Sequence, residues 1–212
     1  DLAQRTAVHA QMAAADKAVG GAVDVANQLA GLGTTTIPPN GLGYGTTGFD
    51  ERMSTLAWLI RSNLGVRVAC LSFDDGFDFH DNQVNRQAGC LSSLGQTLAA
   101  FQADLEAHGI ADRVLTLVWS EFGRRVDDND SGGGGTDHGA GGLAMVIGTH
   151  VQPGIASPFP GIRPQDLDGN GNLKVPVDYR QIYTELLGNW MGTDPAAVIP
   201  NAGSFSPLAL VA

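Results

Sequence analysis

The residues best able to do chemistry in this chain lie in three short polar segments, the first of which spans residues 74–81 (DDGFDFHD). It contains Asp78 and His80, whose side chains point the same way if the backbone is extended. Carboxylate oxygens and an imidazole nitrogen that lie close together can bind one divalent cation. A solvated acidic turn without an ion is the competing interpretation.

The second segment, residues 120–125 (SEFGRR), directly follows an apolar run. Glu121 is well placed there to act as a metal ligand or as a general base, and Gly123 allows a close backbone approach. A guanidinium such as that of Arg124 or Arg125 can bind the anionic group of a substrate. Alternatively, Glu121 only forms an ion pair with one of these arginines.

The third segment, residues 135–139 (GTDHG), carries an acidic and a basic ligand type side by side. Asp137 and His138 are flanked by glycines in a loop, a setting that favours a metal site over simple packing. A capping role is the alternative for Asp137. The candidate metal ligands are therefore Asp78, His80, Glu121, Asp137 and His138, and the candidate catalytic residues are Glu121 and Arg124.

The elements that must position these segments alternate between strand and helix. Three short apolar runs rich in β-branched residues, at 66–73, 114–119 and 143–147, predict buried strands. Helix-spaced apolar residues between the first two predict a crossover helix over 91–105, so we expect an α/β fold with a mostly parallel sheet and helices on both faces. Parallel strands end at one edge of the sheet, where ligands bind. At least three candidate ligands should therefore lie within about 8 Å of each other.

The remaining elements frame this sheet. Residues 1–30 are predicted to form a helical lead-in with a break at Gly20-Gly21, and residues 31–48 a Gly/Thr/Pro loop. Apolar spacing predicts a further helix from Met53 to Leu64. A last helix is predicted over 178–191, with Asp178 as its N-cap and Gln181 completing a capping box.

Composition excludes several function classes. The chain has 12 Lys and Arg against 22 Asp and Glu, a net charge of −10, which disfavours binding to nucleic acid. No stretch reaches the roughly 20 apolar residues of a membrane span. Cys70 and Cys90 are either a disulfide or two buried thiols. Residues 166–172 (DLDGNGN) begin like a calcium loop, but position 177 is Val where such a loop has Glu, so a hairpin turn is favoured.

The three segments in this order, GFDFHDNQ, SEFGRR and GTDHG, resemble the family called domain of unknown function 1501, over roughly residues 51–191. That family is grouped with the alkaline phosphatase-like superfamily, so the resemblance implies an alkaline phosphatase-like fold. By the same resemblance, the first metal position corresponds to Asp78 (or Asp75), His80 and His138. The second position keeps Glu121 but has Phe122 where the superfamily has a histidine.

The resemblance also implies what this chain lacks and what it does. The superfamily's Ser or Thr nucleophile and a further metal-binding Asp belong to an amino-terminal half, so we expect residues 1–212 to be the carboxyl-terminal portion of one domain. A missing segment or a partner chain would then complete the sheet. The implied activity is metal-dependent hydrolysis of an anionic phosphate or sulfate ester, with zinc or manganese favoured over calcium. The alternative is a non-catalytic binding or assembly protein on the same scaffold, and in either case an exported, periplasmic or extracellular location is expected.

Overall fold

A computed structural model describes residues 10–31, 42–73, 76–130 and 132–212. The chain divides into two compact units, the first comprising residues 1–74 and 96–104 and the second residues 75–95 and 105–212. The described residues of the three polar segments all belong to the second unit.

The first unit contains two complete helices, α1 (Ala10–Gly31) and α2 (Gly48–Arg61). α1 lies in the predicted lead-in, but it continues through Gly20 and Gly21 without the predicted break, because glycine weakens a helix without necessarily ending it. Residues 32–41 of the predicted Gly/Thr/Pro loop lie outside the described residues, and residues 42–47 form no helix or strand.

A buried carboxylate fixes the start of α2. Thr47 is the N-cap and forms a capping box with Asp50, which is only 4% exposed. Asp50 also accepts a hydrogen bond from the Thr97 hydroxyl, which belongs to the same unit. Burial alone would raise the pKa of Asp50, but the hydrogen bonds from Thr97 and Thr47 bring it below its usual value.

Helix α3 (Gln83–Ala107) contains the predicted crossover helix and contributes residues to both units. Phe101 is buried in the first unit and Leu94 and Leu105 in the second, as the helical spacing predicts, whereas Leu91 at the start of the predicted stripe is 49% exposed. The helix ends before Gly109, which adopts a left-handed conformation with φ of +63° that glycine tolerates best.

The described strands form two small antiparallel pairs. β1 (Thr116–Val118) pairs with β4 (Met145–Ile147), and both lie inside predicted strands. β2 (Gly123–Asp128) pairs with β3 (Thr136–Gly139), with an irregularity between Arg124 and Asp128. We call the second pair the β2–β3 ribbon.

The first of the three predicted strands, at residues 66–73, is not formed. Residues 66–73 make no strand, and Val68 is 73% exposed. An apolar, β-branched run favours a buried strand only where a neighbouring strand completes its hydrogen bonds, and none lies beside these residues among those described. The parallel sheet therefore stays a prediction.

The end of the chain is anchored to a short helix, α4 (Tyr179–Glu185), which continues into a π-helical turn at Leu186–Trp190. The predicted N-cap Asp178 and its capping box with Gln181 are confirmed. Glu185 is fully buried, and its carboxylate accepts hydrogen bonds from the backbone N–H groups of residues 209–211.

Three smaller predictions have clear outcomes. The turn at 166–172 is a hairpin, closed by the Leu167–Leu173 bridge, and its Asp168 carboxylate accepts hydrogen bonds from Asn170 and Asn172 of the same turn. Cys70 and Cys90 are thiols and form no disulfide, but the predicted burial is wrong, because Cys70 is exposed and Cys90 is only partly buried. Within the described ranges, no helix is both long and apolar enough to cross a bilayer.

Candidate metal centre

The candidate site is built on the β2–β3 ribbon and the loop that precedes α3. The ribbon pairs Arg124 with His138, so these two side chains lie on the same face. The loop of residues 76–82 carries Asp78 and His80 and is joined to the glycine-rich turn of the ribbon, because Asn82 N–H donates to the Gly133 carbonyl at 2.6 Å. Long-range backbone pairing thus brings the first and third polar segments together.

Three predicted ligands converge around one carboxylate oxygen. Oδ1 of Asp78 lies 2.8 Å from Nε2 of His138 and 3.0 Å from Nε2 of His80. One ligand atom from each of the three residues falls within 4.8 Å of the others. The expectation that at least three candidate ligands meet within about 8 Å is confirmed for Asp78, His80 and His138.

The electrostatics of this cluster favour an ionised carboxylate. The hydrogen bond from His138 lowers the pKa of Asp78, and electrostatic attraction to His138, His80 and Arg124 lowers it further. The three side chains are about half exposed, at 54% for Asp78, 48% for His80 and 47% for His138. Asp78 is therefore an anionic candidate ligand that solvent can reach.

Asp137 lies on the other side of the His80 ring. Its Oδ1 is 3.3 Å from Nδ1 of His80, whereas Nε2 of His80 faces Asp78. A carboxylate on the second ring nitrogen fixes the tautomer and orientation of a metal-binding histidine. The geometry gives Asp137 this supporting contact, and its carboxylate is not among the three ligand groups that converge.

Arg124 contacts the same cluster from β2. Its guanidinium donates to the Thr136 carbonyl at 2.6 Å, to the Phe77 carbonyl at 2.7 Å and to Oδ1 of Asp78 at 2.9 Å. The side chain is 18% exposed. Arg125, the next residue, is exposed, as expected for alternate side chains along a strand.

Phe122 covers one face of His138. The two rings are stacked with centroids 3.7 Å apart and planes at 14°, and the Arg124 guanidinium lies 5.3 Å from the Phe122 centroid. This apolar ring therefore occupies the space beside one face of His138.

Glu121 stands apart from the converging ligands. It is exposed in the turn after β1, and its carboxylate does not belong to the three-residue cluster. Among the described residues there is no ion pair between Glu121 and Arg124 or Arg125. The structure thus brings together Asp78, His80 and His138, places Asp137 and Arg124 in contact with them, and leaves Glu121 exposed.

The donor set fits a first-row divalent ion. Ligand atoms held about 2.0–2.1 Å from a tetrahedral ion lie about 3.3 Å apart. The two edges at Asp78 measure 2.8 and 3.0 Å and would open by a few tenths of an ångström, while the widest separation, which is at most 4.8 Å, would close by up to about 1.5 Å. Two imidazoles and one carboxylate also leave coordination positions for water or substrate.

Two residues that support the site were not predicted from the sequence. The Asn129 side chain donates to the His80 carbonyl at 3.0 Å, and Gly135 packs so closely on the His80 backbone that a Cβ atom there would overlap it. Gly135 could have been identified from the sequence, because it is one of the glycines that flank the third segment. Asn129 gives no such signal, because its contact depends on a long-range approach of two loops.

Comparison with known proteins identifies the family but no activity. The model of the family described as "Protein of unknown function (DUF1501)" matches residues 2–202. Neither the curated proteins nor the solved structures give a match. With nearly all of its length matched, and with the three polar segments inside the matched region, the chain belongs to the DUF1501 family.

Proposed function

We propose that this protein holds one divalent transition-metal ion through Asp78, His80 and His138. The observation that carries the proposal is the convergence of one ligand atom from each residue within 4.8 Å. Calcium prefers a cage made only of oxygen ligands, whereas the two imidazole nitrogens suit zinc and the carboxylate suits zinc or manganese. Zinc and manganese are therefore the metals proposed for this site.

The exposure of the cluster supports a catalytic rather than a purely structural ion. Structural zinc sites use four protein ligands, and here three protein ligands face solvent. When bound, such an ion supplies Lewis acidity, which lowers the pKa of water and polarises an ester oxygen.

We propose hydrolysis of an anionic phosphate or sulfate ester as the reaction. Water adds to the phosphorus or sulfur atom, the bond to the alcohol oxygen breaks, and the departing oxygen receives a proton. Glu121 is the proposed general base that accepts the proton of the water. Two observations support this role. Glu121 is exposed, and it directly precedes Phe122, whose ring stacks on His138.

A non-catalytic binding or assembly protein is the second candidate, and Phe122 is the observation that favours it. The ring stacked on His138 at 3.7 Å occupies space that a second imidazole ligand would need. A two-metal clamp on the attacking and leaving oxygens is thereby disfavoured at this site.

An ester-hydrolysis assay distinguishes the two candidates. The chain would be assayed on aryl phosphate and aryl sulfate esters with added Zn²⁺, Mn²⁺ or Ca²⁺. The hydrolase proposal predicts turnover with Zn²⁺ or Mn²⁺ that His138→Ala and Glu121→Gln abolish. The matched control His108→Ala, which removes an exposed histidine outside the cluster, should retain turnover. No turnover with any metal, or equal turnover in His138→Ala, would favour the binding protein.

A further inference from the structure

We infer that Arg124 is a positioning residue that assembles the metal centre, and not the group that binds the substrate anion. This inference rests on the proposed metal site. The sequence alone indicates Arg124 as an anion-binding residue, and this inference assigns it a different role.

The first argument is that both terminal nitrogens of the guanidinium already donate hydrogen bonds to acceptors within the protein. Nη1 donates to the Thr136 carbonyl at 2.6 Å, and Nη2 donates to the Phe77 carbonyl at 2.7 Å and to Asp78 at 2.9 Å. A substrate anion that bound end-on through Nη1 and Nη2 would compete with these three acceptors. Because the side chain is only 18% exposed, little of it remains to meet a ligand from solvent.

The second argument is what these contacts connect. Phe77 and Asp78 lie in the loop that also carries His80, while Thr136 begins the strand that carries His138. Arg124 itself lies on β2, opposite His138 in the ribbon. One side chain therefore joins the backbones of both ligand-bearing segments and fixes the ligand carboxylate between them.

The third argument compares charge with geometry. A cation 2.9 Å from Asp78 keeps that carboxylate ionised, but it also opposes the approach of a positive metal ion. Around a half-exposed carboxylate the repulsion is weakened by solvent, whereas the fork of the guanidinium fixes three acceptors at once. Lysine keeps the charge and loses the fork, so Arg124→Lys separates the two effects.

The experiment measures Co²⁺ binding, because Co²⁺ reports its ligand set through its visible absorption spectrum. We expect Arg124→Lys to weaken Co²⁺ binding about 10- to 100-fold, the usual cost of losing a residue that orients a metal ligand, and to change the spectrum. Arg125→Lys is the matched control and should leave both unchanged. In the Asp78→Asn background, Arg124→Lys should weaken binding by less than about 3-fold, since the residue acts through Asp78.

Inorganic phosphate serves as the probe for anion binding. If Arg124 positions Asp78, phosphate should bind the Co²⁺-loaded Arg124→Lys variant as well as it binds the loaded wild type. Unchanged Co²⁺ affinity and spectrum together with weakened phosphate binding would overturn the inference and leave the metal site standing. Absence of Co²⁺ binding by the wild type would instead refute the proposed function.

A second test needs no variant and holds even if Arg124→Lys does not fold. Phenylglyoxal modifies accessible arginines, and peptide mapping by mass spectrometry locates the products. We expect the exposed Arg125 to be modified and Arg124 to be spared, with or without phosphate. Rapid modification of Arg124 that phosphate prevents would show that its guanidinium is the anion-binding group.

Discussion

The cluster of Asp78, His80 and His138 depends on a backbone contact that has no room for a side chain. Gly135 lies against the carbonyl of His80, and a Cβ atom at this position would overlap that carbonyl. Any larger residue must push the His80 backbone away from the β2–β3 ribbon. Because ligand atoms around an ion tolerate errors of only a few tenths of an ångström, this shift acts directly on metal affinity.

Gly135→Ala should therefore weaken metal binding at least about 10-fold, the cost expected when a ligand loses its supporting contacts. Calorimetric titration with Zn²⁺ measures the effect. Gly95→Ala is the control, because Gly95 lies in α3 with no atom within 4 Å of the added Cβ. Equal Zn²⁺ affinity in Gly135→Ala and the wild type would show that the contact does not position His80.

A site residue could be predicted only when the pattern that indicates it is local in the sequence. Asp78, His80 and His138 have the right ligand types in glycine-flanked segments, a signal that is local in the sequence. The assignment of Asp137 as a supporting contact of His80 depends on which ring nitrogen it faces. The contacts of Arg124 depend on the pairing of segments 46 residues apart. Neither fact can be predicted from local spacing.

At the scale of elements, the helices follow from local patterns more completely than the strands. α3 contains the predicted apolar periodicity, and α4 begins at the predicted capping box of Asp178 and Gln181 but ends at Glu185, where a π-helical turn takes over. β1 and β4 lie within predicted strands, but they pair with each other in antiparallel orientation. A short apolar run rich in β-branched residues indicates that a segment is extended, and it carries no information about which strand pairs with it.

Glu185 provides the clearest test of an element contact. It is fully buried, and Oε1 accepts from Leu210 and Val211 while Oε2 accepts from Ala209 and Asn189. Glu185→Gln replaces one oxygen by an amide group that cannot accept, which leaves two donors without their partner. The free energy of unfolding should fall by at least about 2 kcal/mol.

Urea unfolding followed by circular dichroism measures this loss. Glu106→Gln makes the same chemical change at an exposed position of α3 and should change the free energy of unfolding by less than about 0.5 kcal/mol. A loss below about 0.5 kcal/mol for Glu185→Gln as well would contradict the proposed anchoring of the last residues.

At the scale of the whole molecule, the segment 66–73 distinguishes the described structure from the parallel sheet predicted by the sequence pattern. The run VRVACLSF has the composition of a buried strand, yet Val68 is 73% exposed. A strand at this run would present an unpaired apolar edge, and such edges pair with another strand or chain. A sheet that includes the run would therefore need a neighbouring strand from another segment or chain.

Val68→Asp should change the free energy of unfolding of this chain by less than about 0.5 kcal/mol, as expected for an exposed side chain. Leu105→Asp, at a position only 1% exposed, is the positive control and should destabilise by more than about 3 kcal/mol. Destabilisation of Val68→Asp by more than about 2 kcal/mol would indicate that Val68 is buried in a sheet.

The most direct test of the metal centre is the stoichiometry of bound Zn²⁺. After removal of metals with a chelator, equilibrium dialysis against Zn²⁺ followed by elemental analysis should give one ion per wild-type chain. His80→Ala and His138→Ala should each lose that ion, while His108→Ala should retain it. No bound Zn²⁺ in the wild type, or equal binding by all three variants, would contradict a metal centre formed by Asp78, His80 and His138.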